Sequence, residues 1–214
     1  MRTFPKLVAV AGALMMLGWS ATAAAVPFTV TAAAFSPGAG YGIDAAEMSG
    51  TSLDVRFSTA GTFSTQNFSL TTVNQSCTFN FGSINFQEPN ANGGINSNET
   101  DFLDVRATLT FTDPTNTVQS IVASDTATTG SVSDVATDYS LRWSPVTVDF
   151  GNGGRFQVTL KDLDFSVMGP LVETATVTLL SLPTDAPSSN VPEPISIALL
   201  GLGIAGIGAT RRRK

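Results

Sequence analysis

The 214-residue sequence contains no histidine. Neither a Ser-His-Asp nor a Cys-His nucleophilic site can therefore be assembled, and the usual His-containing zinc centres are excluded as well. The single cysteine, Cys77, cannot form an intrachain disulfide. It shares one face of a strand-like run with Phe79 and Phe81 and so reads as a small buried hydrophobe; its functional alternative is an intermolecular disulfide. Gly151-Asn152-Gly153-Gly154 lacks the Lys-Ser/Thr that a phosphate-cradling loop requires and reads as a hairpin turn. Two pairs of carboxylates stand close in sequence, Asp162 with Asp164 and Asp101 with Asp104. A carboxylate-based glycoside hydrolase needs two such groups at a set separation across a cleft. The same spacing also suits solvated strand edges, where charge prevents sheet-to-sheet aggregation. The segment from Glu88 to Asp104 is the most distinctive internal feature. Glu88, Asn90, Asn92, Glu99 and Asp101 offer the carboxylate and amide oxygens that calcium takes, and Gly93-Gly94 permits the bends that bring oxygens together. The order of ligands is neither that of an EF-hand nor that of a calcium-binding β-helix. Calcium is thus the one metal the residues nominate, and no other cofactor is expected.

The elements that must position these residues read as strands. Residues 28–182 are rich in Thr, Val, Phe and Ser and are punctuated by Gly, Asn, Asp and Pro. Apolar side chains alternate at Leu53-Val55-Phe57, Cys77-Phe79-Phe81, Ile84-Phe86 and Leu109-Phe111. They alternate again at Val146-Val148-Phe150, Phe156-Val158-Leu160, Leu163-Phe165-Val167 and Val177-Leu179. Each run places its apolar residues on one face and Thr, Asp, Asn or Ser on the other. The phase slips at Gly82-Ser83, which predicts a bulge or a tight turn. Ala32 to Met48, interrupted by Pro37, Gly38, Gly40 and Gly42, is the least regular stretch. No amphipathic helix is evident. An all-β fold follows, an antiparallel β-sandwich or jelly roll of about nine or ten strands. Leu53-Asp54-Val55-Arg56 recurs as Leu103-Asp104-Val105-Arg106 with no similarity in the flanks, which reads as coincidence. Were the two copies to pair, Asp54 would join the acidic loop.

The two ends are of different character. Arg2 and Lys6 precede an apolar run from Leu7 to Trp19, and small residues follow at Ala21-Thr22-Ala23 and Ala23-Ala24-Ala25. That order is a secretory signal peptide, residues 1–25, cut by signal peptidase after Ala23 or Ala25. Residues 26–182 form the β-sandwich domain and 183–190 a Pro/Ser linker that cannot pack. Ile195 to Ala209 then carries no charge, and Arg211, Arg212, Arg213 and Lys214 close the chain as a basic stop-transfer tail. At about 1.5 Å per residue the apolar run covers roughly 23 Å as a helix, short for a full span unless extended at either end. Gly201, Ala205 and Ala209 recur at every fourth residue, so another helix could approach closely there.

Val191-Pro192-Glu193-Pro194, the Gly-rich apolar run and the basic cluster, together residues 191–214, resemble the PEP-CTERM sorting signal. The resemblance implies handling by exosortase, a membrane-embedded cysteine transpeptidase-like enzyme. It also implies cleavage near the Pro-Glu-Pro triplet, transient residence in the inner membrane, and delivery to the cell surface or the extracellular space. An association with exopolysaccharide or biofilm often accompanies such a signal. Leu182-Pro183-Thr184-Asp185 does not fit the sortase pattern of Gram-positive surface proteins.

With both ends removed, residues 26–190 hold five basic and sixteen acidic side chains, a net charge of −11. Such a surface repels nucleic acid phosphates, and no basic stripe offsets it. The first functional reading is therefore a non-catalytic structural or adhesive protein of the surface or matrix, in contact with extracellular polysaccharide. A lectin-like carbohydrate-binding module is the alternative. It would need a concave face bearing rings, and Tyr41, Tyr139 and Trp143 are the only Tyr or Trp residues beyond the leader. An extracellular carboxylate-based glycoside hydrolase ranks third.

Overall fold

The computed structural model describes residues 25–43, 51–90 and 93–184. Among them, twelve strands form two six-stranded sheets. The first sheet has the order β11 (Leu163–Phe165), β8 (Tyr139–Trp143), β7 (Thr117–Ala127), β6 (Val105–Asp113), β1 (Val26–Pro37) and β4 (Gln66–Leu70). The second has the order β2 (Tyr41–Gly42), β3 (Leu53–Ser58), β5 (Ser76–Phe86), β12 (Gly169–Ser181), β10 (Gly154–Leu160) and β9 (Val146–Phe150). The strand pairings are antiparallel apart from the short contact of β2 with β3. This is the all-β sandwich that the period-2 pattern predicts, with a few more strands than expected.

The inner faces are apolar because each strand turns alternate side chains inward. Phe28, Val30, Leu109, Phe111, Ile121 and Leu141 of the first sheet meet Phe81, Phe86, Phe156, Val158, Val177 and Leu179 of the second, all buried. Rings lock the sheets together: Phe28 stands edge-on to Phe156 at 5.2 Å, and Phe35 edge-on to Phe81 at 4.8 Å. Outer faces carry hydroxyls, with Ser76 bonded to Thr178 and Thr78 to Thr176 across the β5–β12 pair, each at 2.8 Å.

The phase slip at Gly82 is a bulge. The register of β12 against β5 shifts between Glu173 and Thr174, passing from Gly82 to Asn80 and leaving Phe81 as the extra residue. The shift lets Phe81, Ile84 and Phe86 all face the core. Gly82 is required there by space. A Cβ would lie 2.6 Å from the Phe35 ring and 2.7 Å from the Ser58 carbonyl oxygen.

The irregular stretch from Ala32 resolves in part. β1 continues through Pro37, but its register shifts on either side of Val30, so Thr31 and Ala32 both face outward and the alternation restarts one residue later. A bulge of this kind hides a strand from a period-2 search. Residues 44–50 lie outside the described residues. The repeated Leu-Asp-Val-Arg strands do not pair. β3 and β6 belong to different sheets, joined through a crossover in which Gly38 N–H donates to the Asp104 carbonyl and Leu53 N–H to that of Gly40. A Cβ on Gly40 would lie 2.4 Å from the Asp101 carbonyl oxygen, so only glycine allows this approach.

Strand register defines two ends. One gathers the start of β1 (Val26 opposite Leu70), the β4–β5 turn, the β9–β10 turn and the close of β12. The other gathers the end of β1 (Pro37 opposite Val105) with the 87–104 and 128–138 connections.

Candidate functional site

At the loop-bearing end, a carboxylate and two phenols form a relay across the two sheets. Asp125 sits on β7 in phase with Ile121 and Ala123, so its side chain turns inward with theirs. Tyr139 opens β8, and Tyr41 reaches over from β2. The Tyr41 hydroxyl donates to Asp125 Oδ2 at 2.7 Å and lies 2.8 Å from the Tyr139 hydroxyl. Because the one Tyr41 proton is committed to the carboxylate, the Tyr139 hydroxyl donates to the Tyr41 oxygen. Burial pushes the Asp125 carboxyl up to about 6; the Tyr41 bond pulls it down and the charge of Asp104 raises it. Both phenols are raised, chiefly by burial and further by the neighbouring Asp125 charge. They are therefore donors, not bases, at neutral pH.

A second buried acid, Glu173, lies at the β5–β12 bulge in phase with Ala175, Val177 and Leu179 and is fully buried. Its Oε2 accepts from the Trp143 indole N–H at 3.0 Å, and its Oε1 from the backbone N–H of Lys161 at 2.9 Å and of Thr174 at 3.0 Å. Burial pushes this carboxyl up to about 7 against the pull of those three donors. At the bulge the Thr174 N–H turns to this carboxylate, and the Lys161 N–H, which also donates to the Thr174 carbonyl, reaches it from the β10–β11 turn.

The residues singled out by sequence fall in several places. Asp162 Oδ1 accepts from the Trp143 backbone N–H at 2.9 Å, and Asp164 pairs with Arg142. Both are exposed. Cys77 is half-buried on the inner face beside the core, and burial raises its thiol. The described parts of the 88–104 segment are tied down at several points. Ile95 and Gly130 form an antiparallel bridge, and the Asn90 amide donates to the Val132 carbonyl and accepts from its N–H. Glu88, buried, accepts the Asp54 N–H at 3.0 Å. Glu99, also buried, closes a 3₁₀ turn by accepting the Asn96 N–H. Asp101 is exposed and Asn92 lies outside the described residues. Glu88, Asn90 and Glu99 thus bond backbone groups of Asp54, Val132 and Asn96; among the described residues no group of three His, Cys, Asp or Glu side chains could hold a metal ion.

Tyr139 and Trp143 are buried and Tyr41 is half-buried with its hydroxyl committed, so these rings face the interior of the sandwich. A surface depression of about 240 Å³ is lined by Asn85, Phe86, Gln87, Met168 and Gly169 and contains no titratable side chain. Sequence reasoning missed Asp125 and Glu173. The signal was available, since each is an acid at a position whose parity belongs to the core.

Residues 190–214 match the family model described as the PEP-CTERM protein-sorting motif. The chain carries a PEP-CTERM sorting signal. That motif marks an exported protein processed by exosortase. Its Val191, Pro192, Glu193 and Pro194, and the tail from Arg211 to Lys214, lie outside the described residues, as do residues 1–24 of the segment the sequence predicts to be a signal peptide. Among the described residues no helix is long and apolar enough to cross a membrane. Neither the curated proteins nor the solved structures contain a match to the chain.

Proposed function

We propose that the PEP-CTERM tail anchors this protein transiently in the inner membrane and that exosortase cleaves it near Pro192-Glu193-Pro194. The released β-sandwich then acts as a non-catalytic structural or adhesive component of the cell surface or extracellular matrix, in contact with exopolysaccharide. The sorting motif at 190–214 carries this reading. The outer face of the second sheet supports it. Ser76, Thr78, Thr176 and Thr178 present rows of hydroxyls without charge, suited to hydrogen bonding with a neutral polymer. The buried acids support the non-catalytic part, because Glu173 is enclosed by protein donors rather than placed in a cleft.

Three measurements test it. Mass spectrometry of protein from culture medium and cell surface should find an N-terminus within residues 21–26 and a C-terminus near the triplet. Replacing Pro192-Glu193-Pro194 with three alanines should leave the protein in the inner membrane with its tail attached. Unchanged release of that variant would refute exosortase processing. For the matrix role, wild-type protein should sediment with exopolysaccharide purified from the producing strain. Protein that stays soluble at every polymer concentration would refute it.

A further inference from the structure

We infer that, while the tail is still attached, the domain rests on the lipid surface of the inner membrane by the end that carries the β4–β5 and β9–β10 turns, with its acidic end pointing outward. The inference rests on the anchored-tail reading above.

The described chain leaves the domain at a fixed point. Thr184 donates both its N–H, at 2.8 Å, and its hydroxyl, at 3.0 Å, to the Asn152 carbonyl, and the Ser181 hydroxyl donates to that of Gly153 at 2.7 Å. The exit is therefore clamped onto the β9–β10 turn. β1 begins at this same end, where Val26 pairs with Leu70, so both junctions with the removable segments lie together. Residues 185–194 separate Thr184 from the apolar run that begins at Ile195. At no more than about 3.5 Å each, these ten residues span at most roughly 35 Å. The thirteen residues of β12 cover roughly 43 Å at about 3.3 Å each. The tether therefore holds one end close to the membrane, and only a domain that tips over can bring the other end down.

Charge opposes that tipping. Around the tethered end lie Asp113, opposite Thr29, and Asp149, paired with Arg155 at 3.1 Å. The β4–β5 turn, Thr71 to Gln75, is uncharged and exposes Val73. The opposite end collects Asp54, Glu88, Glu99, Asp101, Asp104 and Asp125, with Asp134 and Asp138 in the β7–β8 connection. Among the described residues Arg56, Arg106 and Arg142 stand near them, and Arg142 is paired with Asp164. An anionic lipid surface repels that end over a screening length of about 8 Å at physiological salt and leaves the nearly neutral end free to approach.

The test uses the full chain in vesicles of phosphatidylethanolamine and phosphatidylglycerol that contain a headgroup-nitroxide lipid. In a Cys77→Ala background, a fluorophore is attached through Asn152→Cys at the tethered end or Thr129→Cys at the acidic end. Quenching should be several-fold stronger at position 152, and the contrast should narrow at about 1 M sodium chloride, where repulsion is screened. Equal quenching at both positions, or stronger quenching at 129, would overturn the orientation while leaving the anchor intact. A contrast that arises only when exosortase is co-reconstituted would overturn the lipid contact in favour of a protein one. Chain that fails to float with the vesicles would instead sink the anchored reading, and the inference with it.

Discussion

Replacing Trp143 with Phe removes one N–H from a carboxylate that has no access to water. Glu173 is fully buried and holds three N–H donors, of which the indole is the only side chain. Its carboxyl, ordinarily near 4.5, is pushed up to about 7. A raised folded-state value means the native protein binds a proton more tightly than the unfolded chain does. Stability therefore falls as pH rises from 4.5 through 7, and is recovered on acidification. At 1.36 kcal/mol per pH unit, that interval corresponds to roughly 3 kcal/mol, an upper figure for one enclosed group. Trp143→Phe loses a hydrogen bond to a charged acceptor above pH 7, worth about 1.5–3 kcal/mol. Near pH 4.5 the acceptor is neutral and the same bond is worth about 1 kcal/mol. The loss of indole volume adds a packing cost common to both conditions. Urea unfolding of the mature domain, followed by far-UV circular dichroism at pH 4.5 and 8.5, isolates the difference. The variant should be destabilised by about 1 kcal/mol more at pH 8.5 than at pH 4.5. In a Glu173→Gln background the pH-dependent part of that loss should vanish. An equal loss at both pH values in the wild-type background would refute the claim that Trp143 stabilises an ionised Glu173.

Three further outcomes follow from the same geometry. Gly82→Ala forces a methyl group against the Phe35 ring and the Ser58 carbonyl, and should lower stability by about 1–3 kcal/mol in thermal unfolding. Tyr41→Phe removes the donor to Asp125 and breaks the relay from Tyr139. Because that bond holds the Asp125 carboxyl down from a still higher value, the loss should be larger at pH 8 than at pH 5 in denaturant titrations. Calcium should raise the melting temperature no more than sodium chloride at matched ionic strength, because Glu88, Asn90 and Glu99 already bond backbone groups; a calcium-specific rise at millimolar concentrations would contradict this.

Several strands could be read directly because their alternation is uninterrupted. Val146-Val148-Phe150 and Phe156-Val158-Leu160 became β9 and β10, joined by the turn that Gly151 to Gly153 predicts. β1 and β7 were harder for a local reason. β1 changes face at its bulge, and β7 exposes Val118 and Val122 on its outer face while burying Ile121 and Ala123. Apolar residues on both faces blur a period of two. The acidic loop was legible as composition but not as chemistry, since the partners of Asn90 and Ile95 lie in the β7–β8 connection.

The sequence by itself determined the features that depend on neighbours in the chain: the sorting motif, the all-β class and the turns. Each is set by composition or by a repeat of a few residues, and needs no distant contact. Only the tertiary structure decided which strands share a sheet and where the buried acids find donors. Glu173 meets an indole 30 residues away and Asp125 a phenol 84 residues away. A hydrogen bond across a sandwich joins whichever strands the topology brings together, and strand order is not encoded in the alternation of any one strand. The parity of Asp125 and Glu173 marks them as facing inward; what awaits them there is supplied by other strands.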